Sequence, residues 1–264
     1  MATTRKRVQE HYHEALEYFP EDRIVCLALQ GSQNYQLDTE FSDVDTKLII
    51  VPTFEEIAMN KQPLSTTHVR ENDEHIDFKD IRLYINTFRK QNINFLEILF
   101  TPYKITNPLY ASEWNRLVEA REDIAHYNPY RAVKALKGMA MEKYHALKHP
   151  YPSKLEVLAE YGYDPKQLHH LLRLEEFLDR YISGESYTNC LIPTNIDFLK
   201  AVKLGLYNLE DAEKQAKRAI DNITSVADRF TDKVDNIGDT KVDELLDDVQ
   251  VSIIKIAIRN DIEK

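Results

Sequence analysis

Gly31-Ser32 and the pair Asp43 and Asp45 are the residues of this chain whose types and spacing best suit chemistry. They lie between two apolar runs, Ile24-Val25-Cys26-Leu27-Ala28-Leu29 and Leu48-Ile49-Ile50-Val51. On an extended strand, residues two apart share a face, so the spacing predicts two carboxylates side by side where the second strand starts. Hard oxygens of this kind hold Mg²⁺ or Mn²⁺ together with substrate phosphates. Two such ions, roughly 3.5–4 Å apart, neutralise charge on both the attacking and the leaving oxygen of an in-line displacement. The chemistry that fits is transfer of a nucleoside monophosphate from an NTP to a hydroxyl, with departure of pyrophosphate. Gly31 lets the chain pass close to a phosphate. Ser32 is placed to cap a following helix whose N–H groups would face the triphosphate.

Gly-Ser, a spacer, then Asp-x-Asp opening an apolar strand resembles the DNA polymerase β-like nucleotidyltransferase superfamily. Further along, Asp80-Ile-Arg-Leu-Tyr, Asn94-Phe-Leu-Glu97-Ile-Leu and Gly162-Tyr-Asp-Pro-Lys166 followed by His169-His170-Leu-Leu-Arg173-Leu resemble the RNA-repair-associated nucleotidyltransferase family of bacteria and phages. The likeness runs from about Ile24 to about Glu213. It implies a metal-dependent nucleotidyltransferase with a third carboxylate on a later strand and an RNA end among its acceptors. A small molecule or a protein side chain stays open as the acceptor.

Two residues compete for that third position. In His75-Ile76-Asp77-Phe78-Lys79, alternation sets Asp77 opposite Ile76 and Phe78, as in a strand with one buried side. Asp80 directly precedes Ile81, Tyr84, Ile85 and Phe88, a helical spacing, so its simplest role is a helix cap. Asp77 is therefore taken as the third metal ligand, helping to deprotonate the attacking group, and Asp80 as the cap. Lys47 shares the face of Asp43 and Asp45, where it suits either a phosphate contact or an ion pair with them. Taken singly these signals are bland: an isolated Asp-x-Asp is usually a solvated turn, and Tyr35 reads as core.

In the Gly162–Leu174 block, Pro165 suits a helix start, and Lys166, His170 and Arg173 then share one face. Lys166 and Arg173 are the candidates for the outer phosphates, and the ordinary alternative is a solvated helix face. The adjacent histidines lack the Cys or His partners of a zinc site.

The chain has 264 residues, 43% of them hydrophobic and 30% charged, enough for two modest cores. Two cysteines, Cys26 and Cys190, cannot build a disulfide framework. No window approaches the apolar length of a membrane span, and a cytoplasmic setting is expected. The net charge of −10 argues against broad adhesion to nucleic acid. A local basic segment, Arg131, Lys134, Lys137, Lys143, Lys148 and Lys154 against Glu142, could still guide an acidic substrate. From Glu210 to Asp248 acids outnumber bases twelve to six, with Asp232, Asp235, Asp239, Asp243 and Asp247 regularly recurring, which reads as a solvated helix face, with a docking surface as the alternative.

The periodicity predicts an α+β chain: a small mixed-sheet domain over 1–105, then a mainly helical domain over 106–264. Helical spacing marks Val8–Phe19, Ile81–Gln91, Leu109–Arg121, Pro129–Lys148, Pro165–Ser183, Asp197–Leu204, Leu209–Phe230 and Lys241–Ile262. Residues 51–68 read as loop with one short helix. The function expected from this pattern is that of a metal-dependent nucleotidyltransferase using Mg²⁺ or Mn²⁺. The competing reading is a non-catalytic nucleotide- or RNA-binding sensor on the same fold.

Overall fold

In the computed structural model, which describes residues 2–40 and 42–263, both apolar runs become strands. The chain order is α1 (Ala2–Tyr18), β1 (Ile24–Gln30), β2 (Asp45–Ile50), α2 (Phe54–Ala58), β3 (Ser65–Val69), β4 (His75–Asp80), α3 (Ile81–Arg89), α4 (Ile93–Leu96) and β5 (Lys104–Thr106). Helices follow: α5 (Ala111–Glu119), α6 (Arg121–Ala125), α7 (Pro129–Ala146), α8 (Leu155–Tyr161), α9 (Pro165–Ile182), α10 (Tyr187–Leu191), α11 (Ile196–Lys203), α12 (Leu209–Thr231) and α13 (Thr240–Ile262). The fold class is α+β, and no helix among the described residues is long and apolar enough to cross a membrane.

The strands form one mixed sheet in the order β3-β4-β2-β1-β5. β2 and β4 run parallel, with Lys47 opposite Asp77, and the remaining pairings are antiparallel. One face packs Leu27, Leu29, Leu48, Ile50, Ile76 and Phe78 against Val8 and Ala15 of α1. Asp45, Lys47, His75, Asp77 and Lys79 alternate onto the opposite face. Asp80 ends β4 and caps α3 by accepting the Arg82 N–H at 2.8 Å, so strand passes into helix without a loop.

Two strands depart from the sequence reading. β3, Ser-Thr-Thr-His-Val, carries no apolar alternation because it is a largely exposed edge; β5 has three residues and pairs only with β1. Each is recruited by its neighbour's backbone, not by a pattern of its own.

By compactness the chain divides otherwise than at residue 105. One unit comprises 1–34, 41–128 and 238–264, and the other 35–40 and 129–237. The last helix belongs to the first unit because its acids are ligands for that unit's basic groups. Arg89 donates to Asp243 and Asp247 at 2.6 Å each, Tyr127 to Asp243 at 2.9 Å, and Arg116 to Asp248 at 2.6 Å. Of the recurring acids expected to face solvent, Asp243 and Asp247 thus dock on Arg89, while Asp239 caps the helix itself. In the second unit, α9 packs on α7 and α12. Small residues of α12, Ala212, Ala216 and Ala219, are fully buried, while Glu175 of α9 takes a bidentate contact from Arg218 at 2.8 Å and one from Asn222 at 2.9 Å.

Gly238 precedes α13 where a Cβ would overlap the Tyr127 ring. Gly238→Ala is expected to cost about 1–3 kcal/mol, the usual range for overpacking, read as a lowered urea midpoint; an unchanged midpoint would contradict this packing.

Candidate active site

β1 delivers Gly31 at its end, and a φ of 99° there demands glycine for backbone reasons, since a Cβ would meet nothing within 4 Å. The expected helix does not follow. Ser32–Tyr35 is a single 3₁₀ turn, left through Gln36 in the left-handed region (φ 61°), so Ser32 starts no helix with N–H groups to offer. The Gly31 N–H instead points at Glu97, whose two carboxylate oxygens each lie 3.3 Å away. Asn34 ties the turn down, donating to the Leu29 carbonyl at 3.0 Å and accepting from Thr101 at 2.6 Å. Glu97 is 2% exposed. Its place under the Gly-Ser turn was not legible in the sequence, where it stood only as one letter of a longer block.

Asp43 and Asp45 flank buried Val44 at the start of β2, as the two-residue period requires. Asp43 is exposed; its carboxylate makes no hydrogen bond among the described residues, while its carbonyl accepts from Gln33 at 2.7 Å. Asp45 uses one oxygen, Oδ1, for the His75 N–H at 2.9 Å and lies 3.2 Å from the His75 ring nitrogen. Its Oδ2 has no partner among the described residues.

Asp77 sits on the predicted face, but its oxygens are committed. Oδ2 accepts from Lys47 at 3.0 Å and Oδ1 from the Thr67 hydroxyl at 2.6 Å. Lys47 therefore pairs with Asp77, and not with Asp43 or Asp45, because the parallel register sets it opposite Asp77. Burial alone would raise the Asp77 carboxyl, but the Lys47 charge and the Thr67 hydrogen bond override it and hold the group below its usual range. Lys47 and Lys79 lie 4.8 Å from the centre of the same Phe95 ring, which suits cations. Burial and the charge of Lys47 push the Lys79 ammonium down. Two cations thus lie about one aromatic ring, Lys47 in contact with the Asp77 carboxylate.

Among the described residues no group of three or more His, Cys, Asp or Glu is disposed to hold a metal ion. Asp43 and Asp45 are present as hard donors, and Asp77 does not join them while Lys47 holds it. Asp80 is engaged elsewhere, chelated by Arg82 at 2.9 and 2.6 Å.

In the second unit, α9 begins at Pro165, with Asp164 as cap. Lys166 is exposed, whereas Arg173 is 5% exposed, so the expected common cationic face runs from solvent into the interior. The Arg173 guanidinium lies 3.9 Å from the centre of the Tyr35 ring, and its Nε and Nη1 have no hydrogen-bond partner among the described residues. Its neighbour His169 is pushed down to about 4 by burial, then by the charges of Arg173, Lys203 and Lys166, against the Leu199 carbonyl, which holds its Nδ1 at 2.9 Å.

The basic segment carries less free charge than its sequence suggests. Lys137 pairs with Asp228 at 2.7 Å, Lys154 with Asp164 at 3.2 Å and Lys148 with Glu213. Such pairs contribute little to stability, yet they cancel the field an RNA would feel.

No protein-family model matches this sequence, and no curated protein matches it. Among solved structures, the chain is similar to a nucleotidyltransferase-like protein from Exiguobacterium sibiricum 255-15, at 10% identity over 84% of this chain and 74% of that one, with a TM-score of 0.31. An overlay that loose assigns no residue its role.

Two measurements follow from the electrostatics. Replacing Lys47 by Met leaves burial unopposed by its charge, so the Asp77 carboxyl should titrate higher in a carbon-detected NMR titration; an unmoved midpoint would refute the pairing. His11 and His169 are each lowered from 6.5 to about 4. An unfolded chain protonates them first, so their contribution is complete above pH 6.5 and lost as pH falls toward 4, on the order of 3 kcal/mol each. The slope of stability against pH across that window should flatten in His169→Gln; an identical slope would contradict a neutral buried His169.

Proposed function

We propose that this chain is a metal-dependent nucleotidyltransferase, moving a nucleoside monophosphate from an NTP to an acceptor hydroxyl and releasing pyrophosphate. The observation that carries this reading is the pairing of carboxylate oxygens that have no partner among the described residues, those of Asp43 and the Oδ2 of Asp45, with a sheet face that also presents Lys47 and Lys79. Acids for a cation and lysines for phosphate are the two halves of an NTP site.

Asp43 and Asp45 would hold Mg²⁺ or Mn²⁺ through hard oxygens, with phosphate oxygens and water completing the shell. The bound ion supplies charge neutralisation and a more acidic hydroxyl. Lys47 exchanges Asp77 for a phosphate as the NTP arrives, a like-for-like trade of one anion for another. The freed Asp77 carboxylate then accepts the proton of the attacking hydroxyl and serves as the third acidic ligand. Gly31 and Ser32 line the approach to the phosphates. Lys166 and Arg173 of the second unit would take an anion such as an outer phosphate, and a buried guanidinium with two donor atoms that have no partner among the described residues supports that role for Arg173.

The likeness to the RNA-repair family favours an RNA end as acceptor. The paired lysines of the basic segment mean that such an RNA is recognised by its terminus more than by long-range attraction. One observation favours the rival reading, a nucleotide sensor without turnover: both oxygens of Asp77 are engaged.

Incubation with α-labelled NTP, Mg²⁺ or Mn²⁺ and total RNA separates the two. Label transfer with pyrophosphate release, lost at least 100-fold in Asp43→Asn and Asp45→Asn, is the expected outcome, about the scale of removing a major charge-stabilising group. Ion-dependent NTP binding without pyrophosphate release is the sensor's outcome. Arg173→Gln should raise the KM for NTP about tenfold, the loss of a charged hydrogen bond; an unchanged KM would remove Arg173 from the site.

A further inference from the structure

Glu74 is a buried acid of the first unit with several partners. Its side chain is 1% exposed and meets Arg7 and His11 of α1, Arg70 at 2.6 Å and Asn72 at 2.8 Å. Burying charges in this way is rarely favoured over apolar packing, so the arrangement calls for a reason. Its contacts supply one. The remaining donor to Glu74 is the backbone N–H of Val44, at 2.9 Å, the residue between the two aspartates. Arg7 also donates to the Ser42 carbonyl at 3.2 Å, and His11 holds Glu74 at 3.0 Å on one ring nitrogen and the Thr46 hydroxyl at 2.9 Å on the other. Residues 42, 44 and 46, alternate positions along one stretch of chain, are thus clamped from the α1 side while Asp43 and Asp45 alternate away from it.

We propose that Glu74, Arg7 and His11 are positioning residues that fix the backbone of the Asp43–Asp45 segment and thereby set how tightly its carboxylates hold a divalent ion with a triphosphate. The inference rests on the nucleotidyltransferase reading of that site. None of the three touches the reacting atoms; each acts through Ser42, Val44 or Thr46. Partners that orient ligands in this way typically change metal affinity by about 10–100-fold.

The test is Mn²⁺ binding followed by electron paramagnetic resonance in the presence of ATP, with thermal unfolding in the absence of Mn²⁺ as the control for folding. Glu74→Gln is the direct variant. Arg7→Ala is the milder one, because the Arg7 side chain is 29% exposed and its loss leaves Arg70 on Glu74. Both are expected to weaken Mn²⁺ binding by about 10–100-fold, and Arg7→Lys to recover part of the loss. Arg7→Ala unfolding cooperatively yet binding Mn²⁺ like the unsubstituted chain, where Asp43→Asn abolishes binding, would overturn the positioning role alone. An unsubstituted chain that binds no Mn²⁺ would overturn the nucleotidyltransferase reading and this inference together.

Discussion

The parallel pairing of β2 with β4 is the constraint on which the site depends. It sets Lys47 opposite Asp77 and brings the His75 N–H onto Asp45, so acids and lysines distant in sequence share one sheet face. A one-residue slip would send every one of these side chains to the other face. The slip is resisted on both sides. Leu48, Ile50, Ile76 and Phe78 would leave the core beneath α1, and the His11–Glu74–Val44 contacts would come apart. Parallel strands need a crossover, and the stretch from residue 51 to 74 provides it through α2 and the edge strand β3.

What the sequence discloses tracks how local the cause is. Apolar runs gave β1 and β2, alternation in His75–Lys79 placed Asp77, and a capping acid before a helical spacing placed Asp80. The long helices were legible to within a few residues, as with Pro165–Ile182 and Leu209–Thr231. The strands β3 and β5 were not, because a neighbour's hydrogen bonds make them strands. Nor was the return of α13, since periodicity announces a helix without saying which basic groups its acids will meet. Among the candidate residues, the positions of Asp43, Asp45 and Lys47 were legible from strand spacing, but the pairing of Lys47 with Asp77 was not. Glu97, Glu74 and His11 were not: each acquires its place through partners distant in sequence, as Gly31 is from Glu97 (66 residues) and Val44 from Glu74 (30).

Charge is used locally in a chain that is acidic overall. Acids of α13 attach that helix to Arg89 and Arg116, and acids of α12 occupy lysines of α7 and its following loop. Arg173 is buried against Tyr35 with two donor atoms that have no partner among the described residues, and Lys79 lies with Lys47 about the Phe95 ring.

The most direct measurement is a crystal structure with Mn²⁺ and a non-hydrolysable NTP, the ion located by its anomalous scattering. The expected map has manganese bound by Asp43 and Asp45, with the Lys47 ammonium moved from Asp77 to a phosphate oxygen. Nucleotide bound with no manganese at these aspartates and the Lys47–Asp77 pair intact would contradict the proposed chemistry.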